Sequence, residues 1–212
     1  MTKKSTITLF LIALLFASCE TREGNNAEQA SNTFDEGVVI NGIRWATRNV
    51  DAPGTFAETP ESAGMFFQWN RRTGWAATNY VMDWNVIDWN GVGASGVRWY
   101  ATNDPCPTGW RVPTREEIQS LGLSDTPSKW TTQNGVNGRL FGIYPYQIFL
   151  PATGWRGSGD SVSGTGANGI YWSSTQSGTR SAWNFGFSDT TIRSNNYDTR
   201  AFGFSVRCVS IN

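Results

Sequence analysis

The stretch Asn103-Asp104-Pro105-Cys106-Pro107-Thr108-Gly109-Trp110-Arg111-Val112-Pro113-Thr114-Arg115-Glu116-Glu117-Ile118, taken with the distant Gly203-Phe204-Ser205-Val206-Arg207-Cys208-Val209, decides how this chain is organised. In the first block Pro113 keeps the backbone extended and Thr114 opens a helix. Glu117, three residues on, completes a capping box. Ile118 and Leu121 give the helix a buried side, and Gly122 stops it. The second block reads as a terminal strand carrying Cys208. A bond from Cys208 to Cys106 would staple that strand to the middle of the chain.

At the N-terminus, Lys3 and Lys4 precede an apolar run from Ile7 to Phe16, and Ala17-Ser18-Cys19 follows. A charged start, a short apolar core and small residues at the cut describe a secretory signal, too short to span a membrane permanently. The cysteine makes Phe16-Ala17-Ser18-Cys19 a lipobox, with Phe16 where leucine is commoner. The expectation is a lipoprotein signal peptide over 1–18, acylation of Cys19, a flexible polar tether over 19–35 and one domain over 36–212. This puts the protein on a bacterial cell envelope, lipid-anchored at the outer membrane and a candidate for surface exposure. Glu20 and Glu23 are too weak a sorting signal to choose between the periplasmic and external faces.

Once Lys3 and Lys4 leave with the signal, the 17 basic residues become 15, against 17 acidic ones. So even a balance gives no reason to expect nucleic acid or anionic lipid as partner; the membrane is reached through the anchor alone. The chain has 3 cysteines and no histidine. With Cys19 acylated, Cys106 and Cys208 are left in an oxidising compartment, where pairing is the default. Closing a loop of about 100 residues would contribute roughly 4–5 kcal/mol in the chain-entropy model. Two cysteines without histidine supply too few soft ligands for zinc, and no cofactor is expected. The lack of histidine also excludes Ser-His-Asp and Cys-His chemistry, and the carboxylates single out no catalytic pair.

The 11 tryptophans sit among short alternating runs separated by Gly, Asn, Ser and Asp clusters, the mark of short strands and long loops. Strands are predicted over 37–43 (continuing through 44–46), 147–150, 169–174, 182–188 and 202–209. A second helix is predicted over 62–70, where Met65, Phe66 and Trp69 fall at helical spacing. A flexible loop is expected over 154–169, and a turn-rich loop around the Asp-Trp-Asn triplets at 83–85 and 88–90.

The run Val38-Val39-Ile40-Asn41-Gly42-Ile43-Arg44-Trp45-Ala46-Thr47-Arg48-Asn49-Val50 resembles the opening of the Fibrobacter succinogenes major paralogous domain family. So do Ala63-Gly64-Met65-Phe66-Phe67-Gln68-Trp69-Asn70, Asn103 to Thr114, Phe149-Leu150-Pro151-Ala152, Tyr171-Trp172-Ser173-Ser174 and Gly203 to Val209. The resemblance spans 37–209. It implies an α+β, C-type-lectin-like fold with one or two helices, long loops and a disulfide that maps onto Cys106 and Cys208. It also implies a distant relation to formylglycine-generating enzymes, and a surface lipoprotein or tip-like module with no established general activity.

Four functional readings are weighed. Catalysis like the formylglycine-generating relatives would need reactive cysteines in the C-terminal part; Cys208 alone lies there, and a bridged sulfur offers no thiolate. Calcium-dependent sugar binding would need a Glu-Pro-Asn or Gln-Pro-Asp loop followed by Trp-Asn-Asp, and neither occurs. Ligand binding, to a glycan or a protein, is placed on the C-terminal sheet and loops. If Trp183, Phe185 and Phe187 point inward, then Ala182, Asn184, Gly186 and Ser188 point to solvent by strand alternation. Thr179 and Arg180 precede them, and Thr190, Arg193, Asn195, Asn196 and Tyr197 follow on a loop. Small polar residues with tyrosine and arginine anchors have the chemistry of adaptable binding surfaces. The resemblance extends to targets of diversity-generating retroelements, whose variable segment lies here. The non-catalytic alternative is a structural or tip subunit of a surface assembly.

Overall fold

The structure, a computed structural model, describes residues 32–77, 89 and 91–211. The expected signal peptide, Cys19, most of the tether and both Asp-Trp-Asn triplets apart from Trp89 lie outside the described residues. The folded part begins before residue 36. Phe56 N donates to Asn32 O at 2.6 Å, and the buried Asp35 carboxylate accepts from Gly37 N, from Thr47 N and Oγ1, and from Arg48 Nε.

Two short hairpins come first: β1 (Val38–Ile40) with β2 (Ile43–Trp45), and β3 (Met65–Gln68) with β4 (Gly74–Ala76). Then follow β5 (Trp110–Arg111), the α-helix α1 (Arg115–Gln119) and a 3-10 turn over Ser120–Gly122. A meander of β6 (Ser128–Gln133), β7 (Val136–Ile143) and β8 (Tyr146–Pro151) leads to β9 (Trp155–Arg156) and β10 (Val162–Ser163). A second meander, β11 (Gly169–Gln176), β12 (Ser181–Phe187) and β13 (Ile192–Thr199), precedes β14 (Gly203–Phe204) and β15 (Val209–Ser210). They form four sheets, ordered β1-β2-β15-β5, β10-β9-β14-β3-β4, β6-β7-β8 and β11-β12-β13.

This corrects the expected α+β, C-type-lectin-like architecture. Among the described residues the strand ladders are antiparallel, and the helical elements are one α-helix of 5 residues and two 3-10 turns, besides residues 32–33 at the start. The helix predicted over 62–70 does not form. Phe66 and Phe67 are both buried, on opposite sides of β3, which lies inside the five-stranded sheet. A strand covered on both faces reads as a continuous apolar run, which periodicity alone does not separate from a buried helix. The segment 192–199, expected as a loop, is a full strand, and the loop expected over 154–169 contains the β9–β10 hairpin. The β6–β7 hairpin was not foreseen, although Asn134-Gly135 marks it. Both residues take positive φ (47° and 82°), as a two-residue hairpin turn of the favoured twist requires.

The capping box forms as read: Thr114 Oγ1 accepts from Glu117 N at 3.3 Å, and Thr114 N donates to Glu117 Oε2 at 2.7 Å. Cys106 and Cys208 are disulfide-bonded across 102 residues. Cys208 O also accepts from Ala46 N, so the staple holds β15 beside β2 and β5.

The β11-β12-β13 sheet divides the interior. Trp172 and Ala182 belong to one apolar cluster, with Trp69, Phe204 and Val206; Tyr171, Phe185 and Phe187 belong to the other, with Ile118, Leu121 and Phe141. Buried arginines satisfy carbonyls that no ladder reaches. Arg207 donates to Asn49 Oδ1, Ala46 O and Phe149 O; burial lowers its pKa to about 10, against the raising influence of Tyr171. Tyr171, buried beside it, is pushed up to about 12. Arg200 reaches the carbonyls of Ser181, Ala94, Gly96 and Gly178, and its guanidinium lies 4.2 Å from the Trp69 ring.

Candidate functional site

Residues opposite one another in a ladder share a face. The register therefore puts Trp172, Asn184 and Asn196 on one face of the C-terminal sheet, with Ile170, Gly186 and Arg193. Tyr171, Phe185, Trp183 and Tyr197 lie on the other. Strand alternation in β12 is thus as predicted, but its meaning is not. Ala182 and Asn184 are 0% and 1% exposed, and Gly186 is buried too. Ala182 packs in the first apolar cluster, and Asn184 beside it is enclosed with Asp198 and Asn196. A small residue in a strand read as solvent-facing is here buried in a sheet covered on both faces.

The first face is joined by a side-chain network. Asn184 Nδ2 donates to Asp198 Oδ2 at 3.0 Å, and Asn196 Nδ2 donates to Asn184 Oδ1 and Asp198 Oδ2, each at 3.1 Å. Burial raises the Asp198 pKa, and the two amide bonds oppose that rise. Asn184 and Asn196 thereby satisfy each other rather than facing outward. Gly186, Ser188, Arg193 and Asn196 surround a notch of about 20 Å³, room for little more than a single water.

The second face carries the more open chemistry. The register slips between Asn184↔Asn196 and Gly186↔Arg193, so Phe185 opposes both Ser194 and Asn195. A bulge of this kind turns two successive side chains toward one side. Ser194 approaches the 3-10 turn so closely that a Cβ at Gly122 would lie 2.8 Å from its Cβ. Asn195 meets α1, accepting from Arg115 Nη2 at 2.6 Å and Gln119 Nε2 at 3.1 Å. The Arg115 guanidinium lies 3.5 Å from the centroid of the Trp183 ring, and Trp183 meets Tyr197 edge-on at 5.4 Å. Tyr197 is 57% exposed. Arg115 N also donates to Thr175 Oγ1, fixing the start of the helix on β11, and Arg98 bridges to the same Thr175. α1 ends before covering this end of the sheet, so Trp183 is half-buried under an arginine instead of sealed under apolar side chains.

Of the eleven residues predicted to bind, Asn195 and Tyr197 fall on this patch. Thr179 and Arg180 lie in the β11–β12 turn beside a cleft of about 370 Å³, and Ser188 and Thr190 in the β12–β13 turn. The two turns cap opposite ends of a seven-residue strand, roughly 20 Å apart. They do not converge. Sequence reading missed Arg115, Gln119 and Trp183. Arg115 was visible as the first helical residue after the capping box, but its pairing with Trp183 is purely tertiary.

A cleft of about 820 Å³ lies beside the disulfide, lined by Trp99, Asp104, Cys106, Arg111 and Thr114 among others. Burial raises the Asp104 pKa, yet its carboxylate is taken up by its own loop, accepting from Cys106 N at 2.9 Å and Val112 N at 3.0 Å. Arg111 is likewise engaged, bidentate on Glu117 at 2.7 and 2.6 Å. Among the described residues, no group of three or more acidic or cysteine side chains is placed to hold a metal ion, and no helix is long and apolar enough to cross a membrane.

Among known proteins, a family model described as a domain of unknown function (DUF8237) matches residues 126–209, from just before β6 to the start of β15. No curated protein and no solved structure matches the chain.

Proposed function

We propose that this is a non-catalytic, lipid-anchored envelope protein that binds a ligand through the helix-side face of its C-terminal sheet. The observation that carries the reading is the Arg115 guanidinium stacked on Trp183 and tied to Asn195, beside the exposed ring of Tyr197. Tryptophan, tyrosine and arginine dominate binding energy where they occur at interfaces. Here the ladder and the capped helix hold all three, so little side-chain entropy remains to be lost on binding. The lipobox at Phe16-Ala17-Ser18-Cys19 supports the anchor, and the six blocks resembling the Fibrobacter succinogenes major paralogous domain family support an envelope role. The absence of histidine from the sequence and the engagement of Cys106 and Cys208 with each other speak for binding over catalysis. If the segment is diversified, variation falls on Arg193, Asn195, Tyr197 and the two turns. The buried Ala182, Asn184 and Gly186 stay fixed.

The test is a screen of glycans and purified envelope proteins against the full-length protein, repeated with Tyr197→Ala and Arg115→Ala. A ligand whose affinity falls about tenfold or more in both variants, with melting temperature within a few degrees of wild type, is the expected result; tenfold is about 1.4 kcal/mol. Ligands that bind all three proteins equally would remove this face as the site.

A further inference from the structure

The turn between β7 and β8 is built unlike an ordinary hairpin tip. Apart from proline, such tips are dominated by Gly, Asn, Asp and Ser, because their backbone must bend and their side chains meet water. The other turn of the same sheet obeys this with Asn134-Gly135. Ile143-Tyr144-Pro145-Tyr146 does not, and its three large side chains are 68%, 84% and 66% exposed. Val39, on β1 alongside β8, adds a further exposed apolar side chain. Contiguous apolar patches on a soluble surface mark contact sites.

Between this tip and the β1–β2 turn runs a groove of about 230 Å³, with Val39, Ile143, Tyr146 and Asp125 among its walls. Three segments are tied together around it. Gly142 N donates to Pro127 O at 2.9 Å, and Asn41 Nδ2 donates to Ser120 O at 2.9 Å and Thr126 Oγ1 at 2.8 Å. Gly142 (φ 101°) admits no side chain, since a Cβ there would lie 2.3 Å from Tyr146 O and 3.0 Å from Ile40 Cδ1. The groove is held open by its own frame.

Its chemistry is one-sided. The Asp125 carboxylate has no hydrogen-bond or ion-pair partner among the described residues, no cation lines the groove, and both donors of the Asn41 amide point into the frame. A ligand must bring donors, positive charge and an apolar stem. We propose that the groove takes a lysine or arginine side chain of a partner protein. The stem lies along Val39 and Ile143, and the cationic head meets Asp125 beside the Tyr146 ring. Long cationic side chains bury their stems on apolar surface, and a ring face attracts the cation. This site is separate from the face of the C-terminal sheet, and neither reading needs the other.

The probe is an end-blocked lysine hexapeptide, titrated into the isotope-labelled full-length protein and followed by backbone amide shifts. Saturable shifts confined to the β7–β8 tip, Asn41 and Asp125, weakening as salt is raised, are expected. Asp125→Asn and Tyr146→Ala should each lose binding about tenfold, and Arg115→Ala should keep it. Asp125 has no partner to lose, so its variant should melt with the wild type. Shifts that survive in Asp125→Asn, or no saturable shifts at all, overturn the proposal. So does capture of neutral glycans that Tyr146→Ala abolishes and Asp125→Asn leaves intact, which would make the tip a sugar platform.

Discussion

The β6-β7-β8 and β11-β12-β13 sheets are both three-stranded antiparallel meanders, and they expose their aromatic rings in opposite places. The first pairs six residues with six in each ladder without a slip, and its exposed rings, Tyr144 and Tyr146, sit at a turn. The second slips once in each ladder, and its exposed ring, Tyr197, sits on a face under the edge of a helix. A regular ladder sends alternate side chains into the core and to solvent, so new chemistry enters where the ladder stops. A bulge breaks that rule inside the sheet and lets Asn195 turn toward Arg115. The two sheets meet through Phe141, whose ring lies 5.5 Å from Phe185 and 5.7 Å from Phe187. Trp130 on Phe187 at 6.4 Å and Arg139, donating to the carbonyls of Ser188 and Asp189, join them too, so the two sheets are expected to stand or fall together.

The largest effect should come from removing the disulfide. Replacing Cys106 and Cys208 by serine should cost roughly 4–5 kcal/mol in the chain-entropy model, read as a lower urea midpoint with a steeper slope, because the unbridged denatured chain exposes more surface. If the sheets are one cooperative unit, amide protection in both falls by the same amount. Protection retained in β6-β7-β8 and lost in β11-β12-β13 would split them into two units and break the comparison at its root.

The sequence made legible what depends on near neighbours. The capping box needs only Thr114 and Glu117 with their shared backbone, and the strand at 182–188 needs only alternation. Cysteine usage was enough for the staple. What it hid is tertiary. Phe66, at helical spacing with Trp69, lies in a strand because both faces of β3 are buried, and Trp69 falls in the turn after it. Ala182, Asn184 and Gly186 looked like surface because small polar residues mark the solvent side of a half-buried strand, and here both faces of β12 are covered. The bulge opposite Phe185 has no local signature, so the pairing of Arg115 with Asn195 could not be read. The Asn134-Gly135 turn was legible and went unread, and with it the sheet whose other turn carries the second candidate site.

A middle-sized effect separates scaffold from site on the C-terminal sheet. Asn184→Ala removes one of the two amides that donate to Asp198, leaving a half-buried carboxylate with one partner fewer. A loss of about 1–3 kcal/mol is expected, with affinity at the Tyr197 face unchanged. A variant that keeps its stability and loses ligand would return Asn184 to the binding surface and undo the division of faces.

The smallest effect is in pH. Burial alone would raise the Glu117 pKa, but the bidentate bond from Arg111 and the backbone bond from Thr114 outweigh it and hold the carboxyl below its ordinary 4.5. A carboxyl whose pKa is lower in the folded state stabilises that state above the unfolded pKa and stops doing so as pH falls through the folded one. Glu117→Gln should therefore melt below the wild type at pH 7, and the gap should close as pH falls from about 5 toward 3. The carboxyl is part-exposed, so the shift in melting temperature is modest. Its structural reach is what sharpens the comparison. Glu117 secures the first turn of α1, and α1 carries Arg115. Loosening the box should shift the amide signals around Trp183 and Asn195 while those of Gly142 to Tyr146 stay in place, because no bond from that helix reaches the β7–β8 tip.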